Sequence, residues 1–153
     1  QRKDYKPCFI EMNPKQEVTL ERRKGFLQAC DDFGVKKPLI KSISDIADID
    51  NAFIESLHKQ KINCVIAMND IIASKFMIHA LDSGFHIPKD FSLTGFDGSA
   101  ISNMLPRKLD TISLEVHELG QKSGEWINRR VISREDKKFQ LRINGKRVKG
   151  QTI

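Results

Sequence analysis

Two stretches decide the fold, CVIAMND at residues 64–70 and FSLTGFDG at residues 91–98. Each is a short apolar run that ends at a side chain able to form hydrogen bonds, Asn69 in the first and Asp97 in the second. Parallel strands of one open sheet bring their carboxyl ends to the same edge, where ligands bind in such sheets. An amide and a carboxylate offer the donors and acceptors that a polyhydroxylated ligand needs. The two stretches therefore predict a parallel α/β sheet with a binding site at its edge.

Strand and helix patterns alternate around these stretches. The predicted strands cover residues 6–12, 38–44, 62–68 and 91–96. The predicted helices cover residues 18–33, 48–60 and 71–83, the last capped by Asp70. Gly34 and Gly84 follow two of these helices at the position that favours a left-handed cap. Repeated strand–helix–strand units indicate a parallel sheet with helices on both faces.

The pattern changes after Asp97. A short strand is predicted over residues 109–114, followed by an amphipathic helix over residues 115–130. Gly120 and Gly124 lie inside that helix, where each costs about 1 kcal/mol relative to alanine unless close backbone packing compensates. Asn144-Gly145 is a strong hairpin signal, which predicts that residues 138–143 pair with residues 147–152.

Composition favours one globular domain. The chain has 153 residues, of which 39% are hydrophobic and 30% charged, and it contains no apolar run long enough to cross a membrane. The net charge of +6 is confined to the tail, since residues from Arg129 onward carry nine Lys/Arg against two acidic residues. Three cysteines without a C-x-x-C spacing favour reduced, buried thiols over disulfides or zinc. No signal peptide is apparent, and a first residue other than Met leads us to expect a fragment.

Enzyme motifs are missing from the sequence. There is no G-x-G-x-x-G after the first strand, no phosphate-binding G-x-x-x-x-G-K-[ST] and no G-x-S-x-G elbow. The four histidines lack the spacing of metal ligands. We therefore expect neither a cofactor nor a metal, and a binding function rather than catalysis.

Three residues are candidates for a binding site, and each has a simpler interpretation. Arg22 lies in a charged run that usually faces water, yet helical spacing puts it on the apolar face above Phe26, where it would clamp hydroxyls or a carboxylate. Asn69 is either a helix cap or a group that points into the crevice. Asp97 is either a turn residue or a ligand-binding carboxylate.

Several short motifs occur in an order that resembles the lactose/galactose repressor (LacI/GalR) family. The motifs are RRKGFLQA at residues 22–29, AMND at 67–70, IPKD at 87–90, SLTGFD at 92–97, LDTI at 109–112 and ELG at 118–120. The first of them resembles the family's R-x-x-G-F-x-x-A segment. The match spans about residues 22–124, so it is far more specific than any one motif.

This resemblance implies a type I periplasmic-binding-protein-like fold, a three-layer α/β/α arrangement with a parallel sheet. Residues 1–153 would form part of an effector-binding domain, mainly its C-terminal lobe. About residues 12–99 and 138–153 would belong to that lobe, and about residues 109–131 to the N-terminal lobe. The DNA-binding headpiece would be absent from this chain.

The resemblance also implies a function. A small effector, commonly a sugar, would bind between the lobes and contact Arg22, Asn69 and Asp97 through its hydroxyls. The protein would be a cytoplasmic homodimer that binds operator DNA through the missing domain. Its interface would include the helix from Ile71 and the loop 99–105, with an apolar patch of Met77, Ile101, Met104 and Leu105. A periplasmic sugar-binding protein of a transport system is the alternative, although the unpaired cysteines and the IPKD and GFD motifs favour the repressor.

Overall fold

Four parallel strands form the central sheet of the protein. The computed structural model describes residues 5–134 and 140–153. The strands are β1 (Pro7–Met12), β2 (Leu39–Ile43), β3 (Cys64–Ala67) and β4 (Ser92–Thr94), in the order β2-β1-β3-β4. Cys8 pairs with Leu39 on one side and with Val65 on the other. The predicted parallel sheet is confirmed, with each strand one to three residues shorter at its ends.

Three helices connect the strands. They are α1 (Glu17–Asp32), α2 (Asn51–Lys59) and α3 (Asp70–Asp82), and a short 3₁₀ turn over Ile46–Asp48 precedes α2. Asp50 caps α2, because its side chain accepts a hydrogen bond from the Phe53 amide. Gly34 follows α1 with a φ of +67°. The predicted helices are thus confirmed in position and order.

Aromatic side chains fill the core between the sheet and its helices. Phe9 of β1 stacks on Phe26 of α1, with 5.4 Å between the ring centroids. On α3, Phe76 meets the ring of Phe91 edge to face at 5.3 Å. Met77, which was predicted to lie in an exposed apolar patch, is fully buried in this core. That prediction is wrong for Met77, because its side chain packs within the core and not on the surface.

A second, two-stranded sheet contains β5 (Thr111–Ser113) and β6 (Lys146–Val148), which pair antiparallel. The predicted hairpin around Asn144-Gly145 is wrong for residues 140–145, which form no strand, while residues 138 and 139 lie outside the described residues. One side of the 110–114 segment already bonds the chain after β4, through Gly95 and Asp97. The other edge of this segment pairs with residues 146–148, which therefore do not pair with residues next to them in the sequence.

The last helix, α4 (Val116–Ile132), has no buried residue. A methyl group added at Gly120 or Gly124 would meet nothing within 4 Å. The close packing expected at these glycines is therefore not made by the described part of the chain. Val116, Ile127 and Val131 are more than half exposed, so the apolar face of α4 lies uncovered here.

In the part of the chain that the structure describes, every helix is too short or too polar to cross a bilayer.

Candidate functional site

The ends of β3 and β4 lie side by side, which brings the two predicted strand-end residues to one edge. The amide of Asp70 donates to the carbonyl oxygen of Phe96 over 2.8 Å. This bond joins the residue after Asn69 to the residue before Asp97. The sequence-based prediction that Asn69 and Asp97 reach the same edge of a parallel sheet is thus confirmed.

Arg22 points from α1 to this edge and not into water. Its Nη1 donates to the Met68 carbonyl at 2.5 Å, and its Nη2 donates to Asp97 Oδ1 at 2.8 Å. The guanidinium also lies over the ring of Phe96, 4.2 Å from the centroid, which is a favourable cation–π distance. With 16% of its side chain exposed, Arg22 is part of the edge, and the alternative of a solvated charged run does not hold for it.

Asn69 caps α3, since its Oδ1 accepts a hydrogen bond from the Ile72 amide at 2.9 Å. The prediction that Asp70 would be the cap is wrong. Asp70 is the first residue of the helix and is buried, where its Oδ1 accepts from Thr111 Oγ1 and its Oδ2 from both the amide and the hydroxyl of Ser99. Asn69 has the extended backbone that a cap requires, whereas Asp70 turns toward donors on β5 and its flanking loop.

Asp97 has an unusual backbone conformation, with a φ of +108°. Its amide donates to the Ile112 carbonyl at 3.0 Å, and its own carbonyl accepts from the Leu114 amide at 3.4 Å. These bonds hold a conformation that costs a non-glycine residue of order 1–3 kcal/mol and that is often associated with functional sites. The Asp97 side chain keeps 37% of its surface exposed, so its carboxylate pairs with Arg22 and is still accessible to solvent.

Gly98 follows Asp97 directly, and the neighbouring backbone leaves no room for a side chain at this position. It has a φ of +64°, and a Cβ there would lie 2.5 Å from Cα of Ser113. A second acidic residue after the GFD motif is therefore excluded by the backbone of β5. The polar character of this edge comes from Asp97 alone at the end of β4.

Sequence reasoning missed Asp110, whose side chain joins the start of β5 to the tail of the chain. Its carboxylate accepts two hydrogen bonds from Arg147, at 2.8 and 3.0 Å, and a third from the Gly150 amide at 3.0 Å. The bonded Arg147 guanidinium is the largest cause that lowers the pKa of this carboxyl. A carboxylate just before a short strand gives no local signal for such a role, because its partner Arg147 lies 37 residues away in the chain.

The chemistry offered at this edge suits a hydroxylated ligand. Arg22 bonds Asp97 through Oδ1, and Asn69 caps α3 through its own Oδ1, so among the described residues Asp97 Oδ2 and Asn69 Nδ2 remain available as an acceptor and a donor near the Arg22 guanidinium. Within residues 5–134 and 140–153, no three His, Cys, Asp or Glu side chains lie close enough together to hold a metal ion. A separate groove of about 730 Å³ lies at the amino end of β1, lined by residues such as Phe26, Cys30 and Ile66, and none of the three site residues lines it.

The comparisons with known proteins agree with this geometry. Residues 7–153 match the family model of the periplasmic binding protein-like domain. The chain belongs to this family. Among curated relatives, it is 26% identical to the NTD biosynthesis operon regulator NtdR of Bacillus subtilis, over 82% of the chain and 42% of the relative. It is 24% identical to the ribose operon repressor of Halalkalibacterium halodurans, over 86% of the chain and 40% of the relative.

Solved structures share the fold. A LacI family transcriptional regulator from Enterococcus faecium with bound ribose superposes with a TM-score of 0.84 at 20% identity, over 96% of this chain and 56% of that structure. The periplasmic-binding-protein-like fold and the resemblance to LacI/GalR cores are thereby confirmed. The chain spans about two fifths of the length of the two curated relatives.

Proposed function

We propose that this chain is the effector-binding core of a DNA-binding transcriptional regulator of the LacI/GalR type, and that its effector is a sugar or a sugar-like molecule. The observation that carries the proposal is the meeting of Arg22, Asp97 and Asn69 at the carboxyl edge of the sheet. Both curated relatives are named as operon regulators. One of the structures with the same fold contains ribose.

The site favours vicinal hydroxyls for a physical reason. Asp97 Oδ2 can accept a hydrogen bond from one hydroxyl group while Asn69 Nδ2 donates a hydrogen bond to a neighbouring oxygen. Hydrogen bonds to a charged group are worth about 1.5–3 kcal/mol each, and the Arg22 guanidinium holds the Asp97 carboxylate in place through its 2.8 Å ion pair. The arrangement holds no activated nucleophile, which supports binding rather than catalysis.

The proposal includes an assignment of the chain to two lobes. In this proposal, residues 12–99 and 138–153 belong to one lobe, and residues 109–131 extend to a second lobe that the rest of the protein supplies. The uncovered apolar face of α4 supports this division. An effector held between two lobes would favour one arrangement of the lobes over another and shift a pre-existing equilibrium. Operator DNA would be bound by a domain outside this chain, in the cytoplasm.

A homodimer is part of the proposal. Ile71 and Ile78 lie seven residues apart on α3, and both are exposed, as is Met104 with 82% of its surface accessible. Two turns of an exposed apolar stripe on a helix are typical of an interface between subunits. Met104 remains from the patch predicted by the sequence, whereas Met77 does not.

Calorimetry with the intact regulator tests the proposed site, with ribose, lactose and cellobiose as probes. We expect at least one probe to bind and Asp97→Ala to weaken it about 100-fold, since the loss of one or two charged hydrogen bonds costs about 3 kcal/mol. Asp82→Ala is the matched control, because Asp82 is an exposed carboxylate at the other end of α3. Equal affinity of the Asp97→Ala variant and the native protein would contradict the assignment.

The isolated 153-residue chain should bind the same probe more weakly than the intact regulator. It supplies only one wall of the proposed cleft, so part of the contact area is missing. Equal affinities would mean that the second lobe contributes nothing and that the lobe assignment is wrong.

A further inference from the structure

Glu11 is a buried charge that the proposed effector site does not use. Its side chain in β1 is inaccessible to solvent. Its Oε2 accepts from Arg23 Nε at 2.8 Å, and its Oε1 accepts from Arg23 Nη2 at 2.6 Å and from Ser42 Oγ at 2.7 Å. Buried ion pairs seldom add net stability compared with apolar residues of the same size. This pair therefore calls for another explanation.

Arg23 is the immediate neighbour of Arg22 on α1, and the two side chains diverge. Successive helical residues are separated by about 100° around the axis, so Arg23 reaches β1 while Arg22 reaches the ends of β3 and β4. Arg23 bonds Glu11 and, through Nη2, the Pro14 carbonyl at 3.2 Å. Together the two arginines tie the first half of α1 to β1 and to the ends of β3 and β4, and Ser42 of β2 bonds the same Glu11 carboxylate.

We infer that Glu11 is a positioning residue for Arg22. By holding Arg23 with a two-pronged bond, Glu11 fixes the rotation of α1 about its own axis. An arginine guanidinium extends roughly 9 Å from the axis of a helix whose Cα radius is about 2.3 Å, so a rotation of ~10° moves it ~1.5 Å. Such a shift removes the 2.8 Å bond to Asp97. The meaning of this role for effector binding rests on the proposed function, but the positioning itself does not.

Other contacts of α1 do not provide the same restraint. Thr19 Oγ1 donates to the Met12 carbonyl at 3.2 Å, which anchors the first turn close to the axis but resists rotation weakly. Phe26 stacks on Phe9 through an apolar contact, which lacks the directionality of a charged hydrogen bond. A bidentate arginine–carboxylate pair has both the directionality and the distance from the axis that a rotational restraint needs.

Hydrogen exchange at the arginine side chains of the complete 153-residue chain tests the inference without an effector. Nitrogen-15 spectra are recorded for the native chain and for Glu11→Gln, and the Arg22 signals are assigned by their loss in Arg22→Lys. We expect Glu11→Gln to accelerate exchange at the Arg22 guanidinium at least tenfold while the backbone spectrum stays folded. Unchanged exchange at Arg22 in a folded Glu11→Gln chain would overturn the inference.

Two further variants separate positioning from loss of stability. Arg23→Lys keeps the charge but lacks the fork, so it should accelerate Arg22 exchange as Glu11→Gln does, even if Glu11→Gln itself fails to fold. Ile54→Val lowers stability from a different helix, since Ile54 is fully buried on α2. It should leave Arg22 exchange unchanged. Equal acceleration in Ile54→Val would show that Arg22 reports global stability only, which would also refute the inference.

Sugar binding then distinguishes the two proposals. In the intact regulator, Glu11→Gln should weaken a bound probe such as ribose about tenfold, and should have no further effect in an Arg22→Met background. Faster Arg22 exchange in a protein that binds none of the sugar probes would reject the proposed effector and leave the positioning role intact. Normal sugar binding with unchanged Arg22 exchange in Glu11→Gln would reject the positioning role and leave the proposed effector site intact.

Discussion

Gly95→Ala should unfold the junction between β4 and β5. A Cβ at position 95 would lie inside van der Waals contact with Asp70 Oδ1 and 2.7 Å from Leu109 Cδ2. Neither neighbour can move away easily. Asp70 is buried and bonds Thr111 and Ser99, and Leu109 is fully buried. The added methyl group must therefore displace the Asp70 carboxylate from its partners or shift the backbone.

The magnitude follows from these contacts. Overpacking in a filled interior costs about 1–3 kcal/mol, and loss of a buried hydrogen bond to a carboxylate, here the 2.6 Å bond from Thr111 Oγ1, adds about 1.5 kcal/mol. We expect Gly95→Ala to lower the free energy of unfolding by about 3 kcal/mol. Because domains of this size are stable by about 5–15 kcal/mol, such a loss is readily measured.

Urea denaturation of the 153-residue chain, followed by circular dichroism, measures the effect. Gly120→Ala is the control, since a Cβ there meets nothing within 4 Å on α4 and alanine is favoured over glycine in a helix by about 0.5–1 kcal/mol. It should therefore stabilise the chain slightly or leave it unchanged. A Gly95→Ala variant within 0.5 kcal/mol of the native chain would refute the packing described for this junction.

Three other predictions concern charge, thiol chemistry and capping. Asp110→Asn should lower the free energy of unfolding at pH 7, and the difference between the variant and the native chain should shrink below pH 4. The reason is that the pKa of Asp110 is lowered in the folded chain, so its ionised carboxylate stabilises the fold above the ordinary pKa of 3.8, and this contribution is lost as the pH falls. Measuring unfolding free energies from pH 3 to 7 checks this, and a constant difference would contradict it. Burial raises the pKa of Cys8 to about 12, so iodoacetamide at pH 8 should leave Cys8 unmodified in the folded chain and modify it in urea, as mass spectrometry will show. Asp50→Ala should cost about 1 kcal/mol, because it removes the cap of α2; the exposed Asp82→Ala should cost nothing measurable in the same urea titration.

Much of the fold could be predicted from local sequence. Apolar runs that end at polar residues predicted β3 and β4, and helical spacing with Gly34 predicted the extent of α1. These signals act over a few residues, since strand alternation, helical periodicity and left-handed caps depend on neighbours in the chain. Even the convergence of Asn69 and Asp97 followed from one general property of parallel sheets.

Other features were decided between distant segments. The cap of α3 is Asn69 and not Asp70, because donors on Thr111 and Ser99 attract the Asp70 carboxylate. The tail pairs with β5 and not with its own hairpin partner, because β5 offers an open edge. Neither the donors that bond Asp70 nor the edge of β5 can be inferred from the local sequence around residue 70 or residue 144.

The sequence by itself determined the succession of strands and helices and the convergence of Asn69 and Asp97 at one edge of a parallel sheet, because these follow from local periodicity and from a general property of such sheets. Only the tertiary structure decided what those residues do. Arg22 could face water or the sheet, and the choice depends on the Met68 carbonyl, Asp97 and the Phe96 ring, which lie 46 to 75 residues away in the chain. Hydrogen bonds and ion pairs act over a few ångströms in space, whatever the separation along the chain, and so only the folded chain determines them.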